Sequence, residues 1–173
     1  MSVILIGYRG CGKTTVGRRL ADRLWTKFVD TDELVLTAAG GKSVREIFDQ
    51  HGERYFRDLE VAAVRHACQS KEDHVISLGG GAVLREETRQ MLLASPFKRL
   101  YLRCEPAELL RRIEADPQSA ANRPSLTEHG GGLQEITELL KVREPLYRQV
   151  MTAELDVTNL NIDETMKYMA RMV

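Results

Sequence analysis

Residues 7–15, Gly-Tyr-Arg-Gly-Cys-Gly-Lys-Thr-Thr, fit the pattern G-x-x-x-x-G-K-[ST] without a gap. Glycines let a backbone curl until several N–H groups point at one phosphate group. Lys13 would supply a mobile point charge to the β- and γ-phosphates, and the Thr14 hydroxyl would reach Mg²⁺. This stretch therefore predicts a nucleoside triphosphate site. The predicted nucleotide contacts are Gly10, Cys11, Gly12, Lys13, Thr14 and Thr15.

The residues on either side of this loop supply the elements that such a site needs. Val3-Ile4-Leu5-Ile6 is a short apolar run rich in β-branched residues, which predicts a buried parallel strand. Val16, Leu20 and Leu24 recur at helical spacing, so a helix begins within the motif and its N-terminus adds partial positive charge. The alternative is a tight turn that binds nothing. Because a chance match to the whole motif with these flanks is rare, we favour the nucleotide site.

A second pair of chemically capable residues is Asp30 and Asp32, at the end of a short strand predicted over 27–30. At spacing two in an extended segment their side chains share a side, so both can face the same cleft. We expect this strand to neighbour the phosphate loop. The alternative is that Thr31 or Asp32 caps the next helix, a role that is compatible with chemistry.

Composition excludes several other classes of function. Lys plus Arg and Asp plus Glu both number 25 in 173 residues, so the net charge is zero, without the basic excess of a nucleic-acid or membrane-surface binder. No run approaches the ~20 apolar residues of a membrane span. The phosphate loop starts too early to leave room for a signal peptide. The three cysteines and four histidines form no metal-binding pattern, so we expect reduced thiols in a cytoplasmic protein.

Strands alternate with helices along the chain, which predicts one α/β domain with a parallel sheet covered on both faces. The five predicted strands are 3–6, 27–30, 74–78, 97–102 and 153–157. Residues 116–132 hold two prolines and three consecutive glycines, a composition typical of a long loop or lid.

Several residues predict where helices begin and end. Ser43 and Glu46 form a capping box at a helix start, and Gly52 breaks that helix. Pro106 opens another helix at its first turn. Trp25 follows the first helix at a position where a helix-stopping glycine would be expected.

With these residues the chain resembles the shikimate kinase family over nearly its whole length. The matching motifs, in family order, are the phosphate loop at 7–14, Asp30-Thr31-Asp32, Phe56-Arg57-Asp58-Leu59-Glu60, Gly79-Gly80-Gly81, Arg123-Pro124 and Arg143-Glu144-Pro145-Leu146-Tyr147. The resemblance implies a three-layer α/β/α fold with a five-stranded parallel sheet, a P-loop NTPase of the nucleoside-monophosphate-kinase type. It also implies a single kinase domain, 1–173, with a substrate-binding helical insertion at about 32–60 and a lid at about 112–132.

The resemblance implies transfer of the γ-phosphoryl of ATP to the 3-hydroxyl of shikimate, a step in chorismate and aromatic amino-acid biosynthesis. Asp30 and Thr14 would hold Mg²⁺, and Asp32 would bind the acceptor hydroxyl and accept its proton. Arg123 would move onto the β- and γ-phosphates and stabilise the transferring charge. The predicted catalytic residues are Lys13, Asp32 and Arg123.

Shikimate carries a carboxylate, which planar guanidinium groups bind best. Arg57 and Arg143 match the family's carboxylate-binding arginines, and Glu60 can hold Arg57 from one helical turn away. Taken without the resemblance, each arginine reads more simply as a solvated surface residue. The predicted acceptor contacts are Asp32, Arg57, Gly79, Gly80, Gly81 and Arg143.

Alternatives remain at this point. Another small-molecule kinase of the same fold, acting on gluconate or a nucleoside monophosphate, would share the phosphate loop, and an inactive nucleotide-binding relative would also keep the fold. The full motif set favours shikimate kinase. Arg112 is the candidate to stack on adenine, whose edge would meet the backbone at 157–159. The balanced charge and small size suit a monomer that binds ATP or ADP and shikimate, with no nucleic acid or membrane partner.

Overall fold

The computed structural model describes residues 2–116 and 132–173, which contain a sheet of five parallel strands. The strands are β1 (Val3–Ile6), β2 (Lys27–Asp30), β3 (His74–Ser77), β4 (Lys98–Arg103) and β5 (Ala153–Asp156). Their order across the sheet is β2-β3-β1-β4-β5, and every neighbouring pair is parallel. The five predicted strands are confirmed to within one residue at each end. Because all strands run the same way, their carboxyl ends lie along one edge of the sheet.

Helices connect the strands in the described ranges. They are α1 (Lys13–Leu24), α2 (Thr31–Ala38), α3 (Val44–Cys68), α4 (Glu86–Ala94), α5 (Pro106–Glu114), α6 (Leu133–Val150) and α7 (Ile162–Met169), with a 3₁₀ turn at Ala82–Leu84. The side chains of β1 and β3 are buried along their whole length, so both faces of the sheet centre are covered.

Three predicted helix boundaries are confirmed. Ser43 caps α3 in a capping box with Glu46, and Pro106 stands in the first turn of α5. Gly52 interrupts α3 with φ 80° and ψ 169°, angles that a helix interior does not tolerate. The two halves of α3 therefore meet at a kink at this glycine.

Two apolar clusters hold these elements. The larger one surrounds the sheet and includes every residue of β1. The smaller one joins α2 to α3 through Val35, Ile47, Phe56 and Ala63. This second cluster gives the predicted substrate-binding insertion a core of its own beside the sheet.

Part of the predicted lid, including Arg123, lies outside the described residues. Within the described ranges, no helix combines the length and the apolar character needed to cross a membrane.

The first helix ends in an unusual way. Trp25 adopts the left-handed conformation, φ 54° and ψ 41°, while its N–H donates to carbonyls of the last turn of α1. The Thr26 N–H donates to the Ala21 carbonyl at 3.0 Å, which completes the hydrogen bonding of a C-terminal cap. The Trp25 side chain is 96% exposed, so no packing offsets the steric cost of its Cβ. Position 25 therefore has the left-handed backbone conformation that favours glycine, although the residue is tryptophan.

Replacing Trp25 with glycine should raise the free energy of unfolding by about 1 kcal/mol, because the left-handed conformation costs a residue with a Cβ roughly 1–2 kcal/mol. Urea denaturation followed by circular dichroism measures this change. Tryptophan fluorescence cannot be used, because Trp25 is the single tryptophan and is absent from the variant. Trp25→Ala keeps the Cβ and should stay near the wild-type value. A lower denaturation midpoint for Trp25→Gly would contradict this account.

Candidate active site

The phosphate loop lies between the carboxyl end of β1 and the start of α1. Gly7, Gly10 and Gly12 have φ values of 149°, 84° and 97°, which residues with a Cβ rarely adopt. The Lys13 ammonium donates to the carbonyls of Gly7 at 2.8 Å and Tyr8 at 3.0 Å. The expected mobile charge is thus held within the loop, because the curled backbone presents two carbonyl oxygens to it.

The acidic pair lies beside this loop, but not in the extended geometry that the sequence suggested. Asp30 ends β2, and Asp32 already belongs to the first turn of α2. Asp30 is itself the helix cap, since its Oδ1 accepts from the Asp32 N–H at 3.0 Å, so the alternative in which Thr31 or Asp32 caps the helix is not found. Its other oxygen, Oδ2, accepts from the Thr14 hydroxyl at 3.0 Å.

A wide cleft opens above the phosphate loop, and we call it the phosphate-loop cleft. Residues from the loop, from the acidic pair and from the start of α7 line it; they include Gly10, Cys11, Gly12, Lys13, Thr14, Thr15, Asp30, Asp32, Arg112 and Asn161. All six predicted nucleotide contacts in the loop therefore face one space.

Arg112 also lines this cleft. Its guanidinium donates to the Val157 carbonyl at 2.8 Å and to Glu108 at 2.7 Å. Hydrogen bonds from Arg111 and Arg112 lower the pKa of Glu108 to about 2, so the Glu108 carboxylate stays charged at neutral pH. Arg112 and residues 157–160 thus form one connected wall, where the sequence placed the adenine.

A second, smaller space contains the two predicted carboxylate-binding arginines, and we call it the arginine pocket. It is lined by Tyr8, Arg9, Asp32, Val44, Phe48, Phe56, Arg57, Glu60, Gly80, Gly81, Glu135 and Arg143. Arg57 is 8% exposed and Arg143 is 5% exposed, which rules out solvated surface positions for both. The buried cations and the aromatic walls suit a small anion with an apolar body.

Arg57 is held by two carboxylates on its own helix. Its Nη1 donates to Glu60 at 2.6 Å, while Nε and Nη2 both donate to one oxygen of Glu53, at 3.2 and 3.0 Å. Burial lowers the pKa of Arg57, but the charges and hydrogen bonds of Glu60 and Glu53 together outweigh that effect and the net shift is upward. Burial raises the pKa of Glu60, and the Arg57 charge opposes that rise. The predicted Arg57–Glu60 contact is therefore present and buried.

Arg143 reaches the same pocket from α6. Its guanidinium lies over the Tyr8 ring, 5.5 Å from the centroid, in a cation–π contact. Within the described part of the chain, the buried Nε of Arg143 has no hydrogen-bond partner. A buried donor of this kind suits a ligand oxygen, since an unsatisfied one is costly.

The glycine run at 79–81 is needed for close packing. A Cβ on Gly79 would lie 2.5 Å from Asp32 Oδ1, and a Cβ on Gly81 would overlap the Arg57 guanidinium. The Gly79 N–H donates to the Thr31 hydroxyl at 2.8 Å. Only residues without side chains leave room here for both charged groups.

The two spaces meet along one boundary. Arg9, Asp32 and Gly80 line both the phosphate-loop cleft and the arginine pocket. These three residues are therefore where the two spaces adjoin. The arrangement can bring a polyphosphate and a small anion together across Asp32.

Three contributors to the arginine pocket were missed by the sequence interpretation. Glu53 could have been found, since it stands four residues before Arg57 on the same helix. Tyr8 was treated only as a variable position of the phosphate-loop motif. Glu135, 2% exposed, gave no signal in the sequence.

A phosphate loop at the carboxyl edge of a parallel sheet, next to a pocket with buried arginines, defines a small-molecule kinase of the P-loop class. The profile of the family described as shikimate kinase matches residues 9–173. The chain therefore belongs to the shikimate kinase family, and it is an ATP-dependent phosphotransferase.

Individual relatives agree with the family match. The chain is 41% identical over 160 residues to a shikimate kinase from Rhodopirellula baltica, covering 92% of this chain and 83% of that protein. It is 41% identical over 170 residues to one from Caldanaerobacter subterraneus subsp. tengcongensis, covering 98% and 94%. Among solved structures, a shikimate kinase from Acinetobacter baumannii in complex with shikimate matches with a TM-score of 0.88 and 29% identity, covering 99% and 91%.

Removing the buried carboxylate of Glu60 should destabilise the fold far more than removing the exposed carboxylate of Glu53. We expect Glu60→Gln to lower the free energy of unfolding by about 2–3 kcal/mol, because it leaves the Arg57 charge buried beside a weaker partner. Glu53→Gln should lower it by less than about 1 kcal/mol, since the Glu53 side chain is 60% exposed. Urea denaturation of both variants measures the difference. An equal loss of unfolding free energy in both variants would show that Glu60 is not the main partner that stabilises the Arg57 charge.

Proposed function

We propose that this chain transfers the γ-phosphoryl of ATP to the 3-hydroxyl of shikimate, giving ADP and shikimate 3-phosphate for chorismate and aromatic amino-acid biosynthesis. One observation carries the proposal: a pocket with two buried guanidinium groups shares Asp32 and Gly80 with the cleft over the phosphate loop. The Acinetobacter baumannii relative, which was solved with shikimate, supports the choice of acceptor.

The acceptor carboxylate would bind between Arg57 and Arg143. Each charge-assisted hydrogen bond contributes about 1.5–3 kcal/mol when shielded from water. Both side chains are already buried, so little conformational entropy is lost when the acid binds. Gly80 and Gly81 would approach the ring, because neither has a side chain.

Asp32 would orient the acceptor hydroxyl and accept its proton. Its place on the boundary of both spaces supports this role, since the reacting oxygen must face the γ-phosphate. Proton removal by a positioned carboxylate is worth roughly 10²–10⁴ in rate.

The phosphate loop would hold the β- and γ-phosphates, whose oxygens would replace the Gly7 and Tyr8 carbonyls as partners of Lys13. Thr14 and Asp30 fit Mg²⁺, because a hydroxyl and a carboxylate oxygen converge at 3.0 Å. Bound there, the metal's charge would neutralise the negative charge of the phosphates. Arg123, outside the described residues, is proposed to contact the same phosphates, and Arg112 to contact the adenine.

We also propose that the enzyme acts as a monomer in the cytoplasm. The balanced charge of the chain, with 25 basic and 25 acidic residues, supports monomeric action. The three cysteines are free thiols, as suits a reducing compartment.

The acceptor can be tested directly with the purified protein and MgATP. Shikimate should stimulate ADP release in a coupled assay, because the arginine pocket matches its carboxylate. Gluconate and nucleoside monophosphates are the controls and should stay near the rate without an acceptor. Stimulation by gluconate equal to that by shikimate would contradict the proposed substrate.

The role of Asp32 can be separated from binding. Asp32→Asn should lower kcat by about 10²–10⁴, because the amide cannot accept the proton. ADP affinity, measured by calorimetry, should change less than about twofold, since Asp32 is not among the predicted nucleotide contacts. Turnover close to the wild-type rate would remove Asp32 from the mechanism.

A further inference from the structure

Tyr147 contacts the glycine run at residues 79–81. It lies on α6, one helical turn after Arg143, and its side chain is fully buried. Its hydroxyl donates to the Gly80 carbonyl at 2.5 Å. Burial raises the pKa of Tyr147, although the nearby Arg143 charge opposes the rise, so the hydroxyl keeps its proton and remains a donor.

The position of this carbonyl determines the direction of a neighbouring donor. In a trans peptide the C=O of one residue and the N–H of the next point in opposite directions within one plane. The oxygen of the Gly80–Gly81 peptide is held towards Tyr147, so the Gly81 N–H must point away from it. Gly81 also packs against the Arg57 guanidinium and lines the arginine pocket.

This peptide is the centre of a turn that the Ala82 N–H closes by donating to the Gly79 carbonyl at 3.0 Å. Both of its residues are glycines, so no Cβ limits its rotation. Over residues 2–116 and 132–173, the N–H groups of Gly80 and Gly81 donate no hydrogen bond. The preceding Gly79 N–H is fixed separately by Thr31. The Tyr147 hydroxyl is therefore the described polar contact that selects one orientation of the peptide.

The geometry points to Tyr147 as a positioning residue, whose hydroxyl turns the Gly81 N–H towards the carboxylic acid acceptor in the arginine pocket. This inference rests on the proposed function, because it concerns how the same acceptor is bound. Tyr147 does not touch the acceptor; it acts through the peptide. α6 would then serve the acid twice, directly through Arg143 and indirectly through Tyr147.

The chain offers a closely matched control. Tyr101 on β4 is also buried, and its ring centroid lies 5.1 Å from that of Tyr147. Its hydroxyl donates to Glu144 at 3.1 Å rather than to the glycine run. Tyr147→Phe and Tyr101→Phe each remove one buried hydroxyl from the same cluster, but only the first releases Gly80 and the contact that the Tyr147 hydroxyl makes with Arg143.

Calorimetric titration with shikimate, without nucleotide, tests the inference. We expect Tyr147→Phe to weaken shikimate binding by roughly three- to tenfold, the net value of one hydrogen bond. Tyr101→Phe should leave it within about twofold, although both variants lose thermal stability. ADP affinity should not change in either variant, because the phosphate loop is untouched.

The outcomes separate this inference from the proposed function. Equal shikimate affinity in wild type and Tyr147→Phe, or an equal loss in Tyr101→Phe, overturns the positioning role while leaving the acceptor established. Failure of the wild-type protein to bind shikimate overturns the proposed acceptor, and the inference with it. If Tyr147→Phe does not fold, the Gly81 amide resonance of ¹⁵N-labelled wild type should shift on adding shikimate; an unchanged resonance overturns the inference.

Discussion

The ion pair between Arg57 and Glu60 is the interaction on which the arginine pocket depends. A buried guanidinium is stable only when a carboxylate and good hydrogen bonds compensate for lost water. Glu60 provides that compensation at 2.6 Å, one helical turn away on α3. The pair also explains two glycines of the run at 79–81. A Cβ on Gly81 would overlap the Arg57 guanidinium, and a Cβ on Gly79 would crowd the carboxylates of Asp32 and Glu60. The charged groups of this pocket therefore also determine which backbone positions must be glycine.

Strand order brings the two spaces together. β1 lies between β3 and β4, and β2 lies on the other side of β3. The loops that follow β1 and β3 are therefore neighbours, and the acidic end of β2 lies next to them. Three segments that are far apart in the chain thus supply the phosphate loop, the glycine run and Asp32 to one edge of the sheet. Asp30 links α2 to the phosphate loop, because its carboxylate caps α2 and also accepts a hydrogen bond from the Thr14 hydroxyl.

Much of this could be predicted, where the signal was local. The central strands followed from apolar runs, and the Ser43 cap, the Gly52 break and the Pro106 start followed from single residues with specific backbone requirements. Other features depended on distant partners. The alternative that placed the cap at Thr31 or Asp32 missed Asp30, because the exact end of β2 is known only from the structure. Glu135 and Tyr147 were given no role, because nothing in a sequence tells which distant backbone or pocket a buried side chain will face.

The sequence by itself determined the phosphate loop, the alternation of strands and helices, and the residue types able to bind an acid and a triphosphate. These depend on nearest neighbours, on period and on backbone freedom, all of which are written in consecutive residues. Only the tertiary structure decided that Arg57 and Arg143 are buried together, that Lys13 is held by its own loop, and that Asp32 and Gly80 belong to both spaces. Burial and shared boundaries arise when segments far apart in the chain pack against each other, and the free energy of a charge depends on that surrounding rather than on its neighbours in sequence.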